Sequence, residues 1–255
     1  MSTDTPKTES APVIKELARL GAHFSYSRRS RHPSTKRFIF GFRNRASIID
    51  LHKTATALDE AKVLIRELVS KGKMVMMVGT KSEAREAVAQ VAESVNQPYV
   101  NERWLGGTLT NFKQMRKRID RLAELKDKGA KGELSVYTKK ERSLIAKEVA
   151  DLERYFGSLS SMTGIPGALI VVDPKDEAIA VAEAHQLNIP VIALCGSDCN
   201  LSLVTHPVMV NDNNKATISF ILKDLAAAYI EGKALAVKAA AEAATVAPAE
   251  TTTNA

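Results

Sequence analysis

Two spacings of apolar residues alternate along the chain. Met74-Val75-Met76-Met77-Val78, Ala168-Leu169-Ile170-Val171-Val172 and Pro190-Val191-Ile192-Ala193-Leu194-Cys195 are unbroken apolar runs, the pattern of strands covered on both faces in a parallel sheet. Ser47-Ile48-Ile49-Asp50-Leu51 and Tyr99-Val100 are shorter strand candidates. Helical spacing fills the gaps: residues 53–69 put Ala57, Ala61, Leu64, Ile65 and Leu68 on one face, and helices are predicted over 82–95, 177–187 and 218–231. Strand–helix alternation of this kind predicts an α/β fold with right-handed crossovers.

Residues 108–157 break that alternation. Phe112, Met115, Ile119 and Leu122 recur at three and four residues, as do Ile145, Val149, Leu152 and Phe156. Such seams belong to two helices packed along each other. Lys128-Gly129-Ala130-Lys131-Gly132-Glu133 supplies the turn, so the segment is predicted to be an antiparallel helical hairpin, a short coiled coil inserted into the α/β domain. The expected division is 13–107 with 158–233 for the α/β domain and 108–157 for the hairpin. Residues 1–12 and 234–255 are expected to be disordered tails, the latter rich in Ala and Thr.

Charge adds a direction to this picture. Residues 1–156 hold 31 Lys+Arg against 19 Asp+Glu, whereas residues 157–255 hold 5 against 10. An excess confined to one part of the chain points to a polyanionic partner for that part. The densest stretch, 19–45, contains Arg19, Arg28, Arg29, Arg31, Lys36, Arg37, Arg43 and Arg45 and no acidic residue. Phe24, Tyr26, Phe38, Phe40 and Phe42 are interleaved with them. Cations contact phosphates and rings stack on unpaired bases. The alternation in Phe38-Ile39-Phe40-Gly41-Phe42 also fits a half-buried strand that covers at least two of the rings and leaves the arginines outward. On the first hairpin helix, Lys113, Arg116, Lys117, Arg118 and Arg121 occupy exposed positions, either as a solvated face or as a second phosphate-binding stripe.

Catalytic constellations are hard to find. Val78-Gly79-Thr80-Lys81-Ser82 lies where a strand meets a helix, a place for a phosphate, but it lacks the Gly spacing of either nucleotide-binding motif. Asp173 and Asp198 end strands, where enzymes of this class place active groups, but no His or Ser stands beside them as a recognisable partner. Cys195, Cys199 and His206 match no standard zinc spacing, so core thiols and a surface imidazole are expected. With two cysteines, no apolar membrane span and a polar start, the chain reads as cytoplasmic. No cofactor, small-molecule substrate or membrane partner is expected. The rival to an RNA-binding protein is a doubly wound enzyme acting on a nucleotide or sugar phosphate, which would need a phosphate loop or an acid–base pair.

Arg103-Trp104-Leu105-Gly106-Gly107-Thr108-Leu109-Thr110-Asn111-Phe112 carries the only tryptophan, followed by a diglycine that lets the chain turn sharply into the hairpin. Trp104, Gly106 and Gly107 are expected to form the hinge, with Trp104 packed beneath and Arg103 turned outward to a phosphate; the alternative is an indole stacked on a base.

Together with Leu20-Gly21-Ala22-His23-Phe24, Phe38-Ile39-Phe40-Gly41, Ile48-Ile49-Asp50-Leu51, Val78-Gly79-Thr80-Lys81, Gly164-Ile165-Pro166 and Asn188-Ile189-Pro190-Val191, this stretch resembles the bacterial family of universal ribosomal protein number two of the small subunit. The resemblance covers about residues 14–233. It implies a three-layer α/β domain with a mainly parallel sheet and a protruding hairpin, and a structural, non-catalytic role on the ribosome. It further implies binding to small-subunit ribosomal RNA, entry late in assembly, and neighbouring small-subunit proteins including the large messenger-binding one, which it helps to dock. The chain departs from the family pattern at Ser25-Tyr26, where Gly-His is usual, and at Arg31-His32. It departs again at Gly196-Ser197-Asp198, in place of Asp-Thr-Asn, and at Val210-Asn211-Asp212-Asn213-Asn214, in place of Pro-Gly-Asn-Asp-Asp.

Overall fold

The computed structural model describes residues 10–246. In chain order the elements are α1 (Ser10–Arg19), β1 (Phe24–Ser27), β2 (Ile39–Arg43), β3 (Ala46–Ile49), α2 (Leu51–Ser70), β4 (Val75–Val78), α3 (Arg85–Ser94) and β5 (Tyr99–Val100). They continue with α4 (Phe112–Ala130), α5 (Lys139–Phe156), β6 (Ala168–Val172), α6 (Ala178–Gln186), β7 (Val191–Cys195), β8 (His206–Met209) and α7 (Lys215–Val246). Five strands form a parallel sheet in the order β5-β4-β6-β7-β8.

The unbroken apolar runs are buried on both sides, as their composition requires, and their side chains sort alternately into two cores. Val75, Met77, Ile170, Ile192, Leu194 and Val208 face one way and pack with Leu58, Ile65, Val88, Ile218, Leu222 and Leu225 of α2, α3 and α7. Met76, Val78, Leu169, Val171, Val191 and Ala193 face the other way, against Val181 of α6, Trp104, and Ile119, Leu152 and Phe156 from the root of the hairpin. Helices, sheet and helices make three layers.

The hairpin follows its seam. Ile119, Leu122, Leu125, Leu152 and Phe156 are buried, with Phe112, Met115, Ile145 and Val149 partly so. A capping box starts α5: Thr138 Oγ1 accepts from the Glu141 N–H, and the Glu141 carboxylate accepts from the Thr138 N–H at 2.9 Å. Arg121–Glu148 at 3.3 Å and Lys126–Glu153 at 2.7 Å bridge the two helices.

Four features depart from the sequence reading. Ala46–Ile49 does not join the parallel sheet but pairs antiparallel with β1 and β2 in a separate three-stranded sheet, β1-β3-β2. Helix α1 and strand β1 precede it where no element was predicted. β8 was also unforeseen; it contains Pro207, which a ladder tolerates at an edge strand, where β8 lies. Finally, α7 runs through the predicted tail start at 234 to Val246, because the alanine-rich segment has the strongest helix former at most positions. The rest of the predicted tails, 1–9 and 247–255, lies outside the described residues.

Because none of the described side chains from 127 to 147 is buried, the outer part of the hairpin is separable from the sheet. Replacing residues 127–147 by a short Gly-Ser linker is expected to remove only that helical signal from circular dichroism and to leave the melting temperature within a few degrees. Loss of cooperative unfolding would show that the whole hairpin is part of the core.

Candidate nucleic-acid interface

The segment from Trp104 to Thr110 is organised by one carboxylate that the sequence reading missed. Glu183 projects from α6, whose other inward residues are apolar, and is 8 % exposed. Its Oε1 accepts from Trp104 Nε1 at 3.1 Å and from the Gly107 N–H at 2.7 Å; Oε2 accepts from the N–H groups of Leu109 (3.0 Å) and Thr110 (3.1 Å) and from Thr110 Oγ1 (3.1 Å). Burial works against this charge, but the donors from Thr110, Gly107, Trp104 and Leu109 outweigh it and hold the carboxyl below the usual glutamate range. A lone acidic residue inside the Ala-rich helix Ala178–Gln186 was the available signal.

Trp104 is buried, 6 % exposed, in the core at the hairpin's root, which supports the anchor over the stacking alternative. Of the two hinge glycines, Gly107 carries the turn at φ +89°, a left-handed conformation that L side chains avoid, whereas a Cβ at Gly106 would meet nothing within 4 Å. Arg103 is exposed, as predicted.

The second constellation lies at the carboxyl ends of the parallel strands. The chain leaves β4 toward β5 on one side and returns to β6 on the other, so the crevice beyond Val78 and Val172 is a topological switch point, where doubly wound domains hold ligands. Here the chain's own side chains fill it. Lys81 Nζ lies 2.9 Å from both Asp173 Oδ2 and Asp212 Oδ2, and 3.3 Å from the Tyr26 hydroxyl. The Thr80 N–H at the end of the same turn donates to Glu177 Oε1 at 2.8 Å. Asp198, the other strand-end aspartate, pairs with Lys175 at 2.7 Å. The phosphate-binding potential of Gly79-Thr80-Lys81 is consumed internally.

Three segments distant in sequence, 25–26, 196–197 and 212–213, meet at this point. Tyr26 donates to Asn213 Oδ1 at 3.1 Å, and the Ser197 N–H donates to Ser25 Oγ at 2.9 Å. A Cβ on residue 196 would stand 2.8 Å from Asp212 Oδ1 and 3.0 Å from Tyr26 Cε2, so Gly196 makes room for both. Asp212 is fully buried and its Oδ1 has no hydrogen-bond partner. Burial, with the Asp173 charge beside it and against the pull of Lys81, pushes Asp212 up to about 7. Burial opposes the Lys81 charge, yet its bonds to the two carboxylates raise its pKa. Cys199 Sγ reaches Asp173 Oδ1 at 3.5 Å, and burial pushes the Cys195 thiol up. Both cysteines are core thiols, and His206 opens β8.

The unsatisfied cations gather elsewhere. β1, the segment 28–38 and the β2–β3 hairpin carry Arg28, Arg29, Lys36, Arg37, Arg43 and Arg45 exposed and Arg31 half-buried; among the described residues none of the seven is within ion-pair distance of a carboxylate. The rings of this sheet are more exposed than predicted, with Phe40 81 % and Phe42 48 % exposed. Ile39 pairs with Ile49 and Gly41 with Ile48, so Phe40 is the extra residue of a bulge that turns it out of the alternation. On the hairpin, Lys113, Lys117 and Arg118 are exposed without a carboxylate partner among the described residues, but Arg116 is held by Asp120 (2.9 Å) and the Met162 carbonyl (3.0 Å). Arg121 is held by Glu124 and Glu148.

Comparison with known sequences places this doubly wound domain with its closed crevice among the ribosomal proteins. The chain belongs to the family described as ribosomal protein S2, whose model matches residues 17–232. It is 44 % identical over 237 residues to small ribosomal subunit protein uS2 of Mycolicibacterium vanbaalenii, covering 91 % of this chain and 87 % of that protein. It is 43 % identical over 220 residues to its counterpart in Mycobacteroides abscessus (86 % and 79 % covered), and 40 % identical over 221 residues to that of Helicobacter hepaticus (87 % and 84 % covered). It is a structural constituent of the small ribosomal subunit.

Two outcomes test the geometry. Trp104→Ala is expected to cost about 3–5 kcal/mol, and Glu183→Gln on the order of 3 kcal/mol, because an amide cannot accept at both ends and strands buried N–H groups. A wild-type denaturation midpoint for Glu183→Gln would refute the hub. The Asp212 carboxyl, raised in the folded state, contributes stability that is complete below the unfolded aspartate range and is lost as pH rises through about 7. Between pH 5 and 7 it should subtract on the order of 1 kcal/mol per pH unit. Asp212→Asn should flatten the pH profile of the melting temperature over that window, and an unaltered profile would count against it.

Proposed function

We propose that the face built by Arg28, Arg29, Arg31, Lys36, Arg37, Arg43 and Arg45 binds small-subunit ribosomal RNA, with Arg103, Lys113, Lys117 and Arg118 continuing the contact along the hairpin. The observation that carries this reading is the sorting of charge. Cations in the crevice and on the hairpin seam are matched by carboxylates, whereas those of the three-stranded sheet are not. A cluster of like charges kept unpaired on one face lowers stability by self-repulsion and is compensated by a polyanion. Arg116 and Arg121, committed to carboxylates, are left out of the contact.

In this reading the chain works without catalysis. Its α/β domain positions the cationic face, Glu183 and Trp104 set the angle of the hairpin, and the crevice at the sheet's carboxyl edge is a structural joint. The family resemblance supports late entry into the particle, help in docking the large messenger-binding ribosomal protein, and work on cytoplasmic ribosomes.

Phosphate contacts release counterions, so affinity for RNA should fall steeply with salt. Replacing Arg28, Arg29 and Arg31 together by Gln is expected to flatten the log–log salt slope by up to ~3. The same variant should leave small-subunit particles at a lower salt wash than the wild type in sedimentation. An unchanged slope with unchanged retention would show a solvated surface instead.

A further inference from the structure

We propose that the depression between the β1–β2 connection and the β2–β3 turn is a pocket for a single unpaired nucleotide of RNA, its base stacked on Phe42 and its phosphate held by Arg29 and Arg45. This rests on the RNA-binding reading above and deepens it. The depression measures about 840 Å³ and is lined by Ser27, Arg28, Arg29, Phe42 and Arg45, a size that suits a small ligand rather than a helical groove.

Two independent features of the backbone aim these side chains. The turn between Arg43 and Ala46 has two residues, Asn44 at φ +48° and Arg45 at φ +68°. A two-residue hairpin with both residues left-handed favours Asn-Gly. Arginine stands where glycine would be least strained, and its side chain lines the depression. The chain thus keeps a guanidinium at a backbone cost. Next to it, Phe42 is half-exposed, with the Arg28 and Arg31 guanidiniums 5.4 and 5.7 Å from its ring centroid. The guanidiniums lie over the ring, so a base entering the depression stacks on an aromatic–guanidinium layer rather than on a bare ring.

Double-stranded RNA would use the arginines but not the ring, because its base faces are covered by stacking. An unpaired nucleotide uses both. An apolar protein segment would find Phe42 as the sole apolar side chain of the lining, between three cations.

The test uses the full chain and two RNA probes of equal length. One is a hairpin with 2-aminopurine unpaired in its loop, the other a perfect duplex. Phe42→Leu keeps the charge and removes the aromatic face. It is expected to bind the loop probe about tenfold more weakly, to lose the 2-aminopurine fluorescence change, and to bind the duplex as the wild type does, with the same salt slope. Arg45→Gly is expected to lower the salt slope by about 1 while its melting temperature holds or rises, since glycine relieves the turn. Full loop binding by Phe42→Leu, alongside a reduced slope in the Arg28, Arg29 and Arg31 variant, would overturn the nucleotide pocket and leave the RNA-binding reading intact. Salt-independent binding of both probes by the wild type would overturn both.

Discussion

The Glu183 carboxylate is the constraint on which the arrangement of this molecule depends. A buried charge is tolerated only when its hydrogen bonds are complete. Glu183 completes them with three backbone N–H groups, an indole and a hydroxyl, all from Trp104–Thr110. Those seven residues make up most of the passage 101–111 from the sheet to the hairpin. By bonding them to α6, the carboxylate ties the hairpin's entry to the sheet's helical layer, directly after the exposed Arg103. Gly107 contributes the one conformation that an L side chain would resist.

The crevice at the sheet's carboxyl edge solves a second problem with the same means. A doubly wound sheet presents strand ends and helix starts there, which enzymes use to hold phosphates. Lys81, Asp173, Asp212 and Glu177 satisfy these groups internally, and Tyr26 closes the mouth from the three-stranded sheet. The place that would bind a ligand binds a piece of the protein. Two carboxylates share one ammonium, so the site holds its neutrality by retaining a proton on Asp212 up to about pH 7. The segments 25–26, 196–198 and 212–213, distant in sequence, are in mutual contact around that joint.

The three-stranded sheet combines these two themes. Its inner edge is tied to the crevice through Tyr26, Ser25 and Thr35, whose hydroxyl donates to the Ser197 carbonyl at 2.9 Å. The outer surface keeps its arginines unmatched. A small, twisted sheet of four- and five-residue strands would be marginal alone; anchored to the domain it presents a bulge, a strained turn and a row of cations in fixed positions.

Much of this was legible in sequence for reasons that are local. Unbroken apolar runs dictate doubly covered strands, and three-and-four spacing dictates a paired seam, so the parallel sheet and the hairpin followed from periodicity alone. The excess of cations and the Trp104 anchor were equally visible, since charge and a lone large ring need no partner to be noticed. What sequence could not assign were relations between distant positions. Ala46–Ile49 has the same pattern in either sheet, and only pairing with β1 and β2 puts it in the antiparallel one. Glu183 looks like any helical glutamate until α6 packs against the loop 73–79 residues before it. Lys81 looks like a phosphate ligand until Asp173 and Asp212 arrive 92 and 131 residues later. Hydrophobic periodicity is a property of neighbours along the chain and fixes the elements; the partner of a buried charge is a property of the packed fold, and only the tertiary structure decides it.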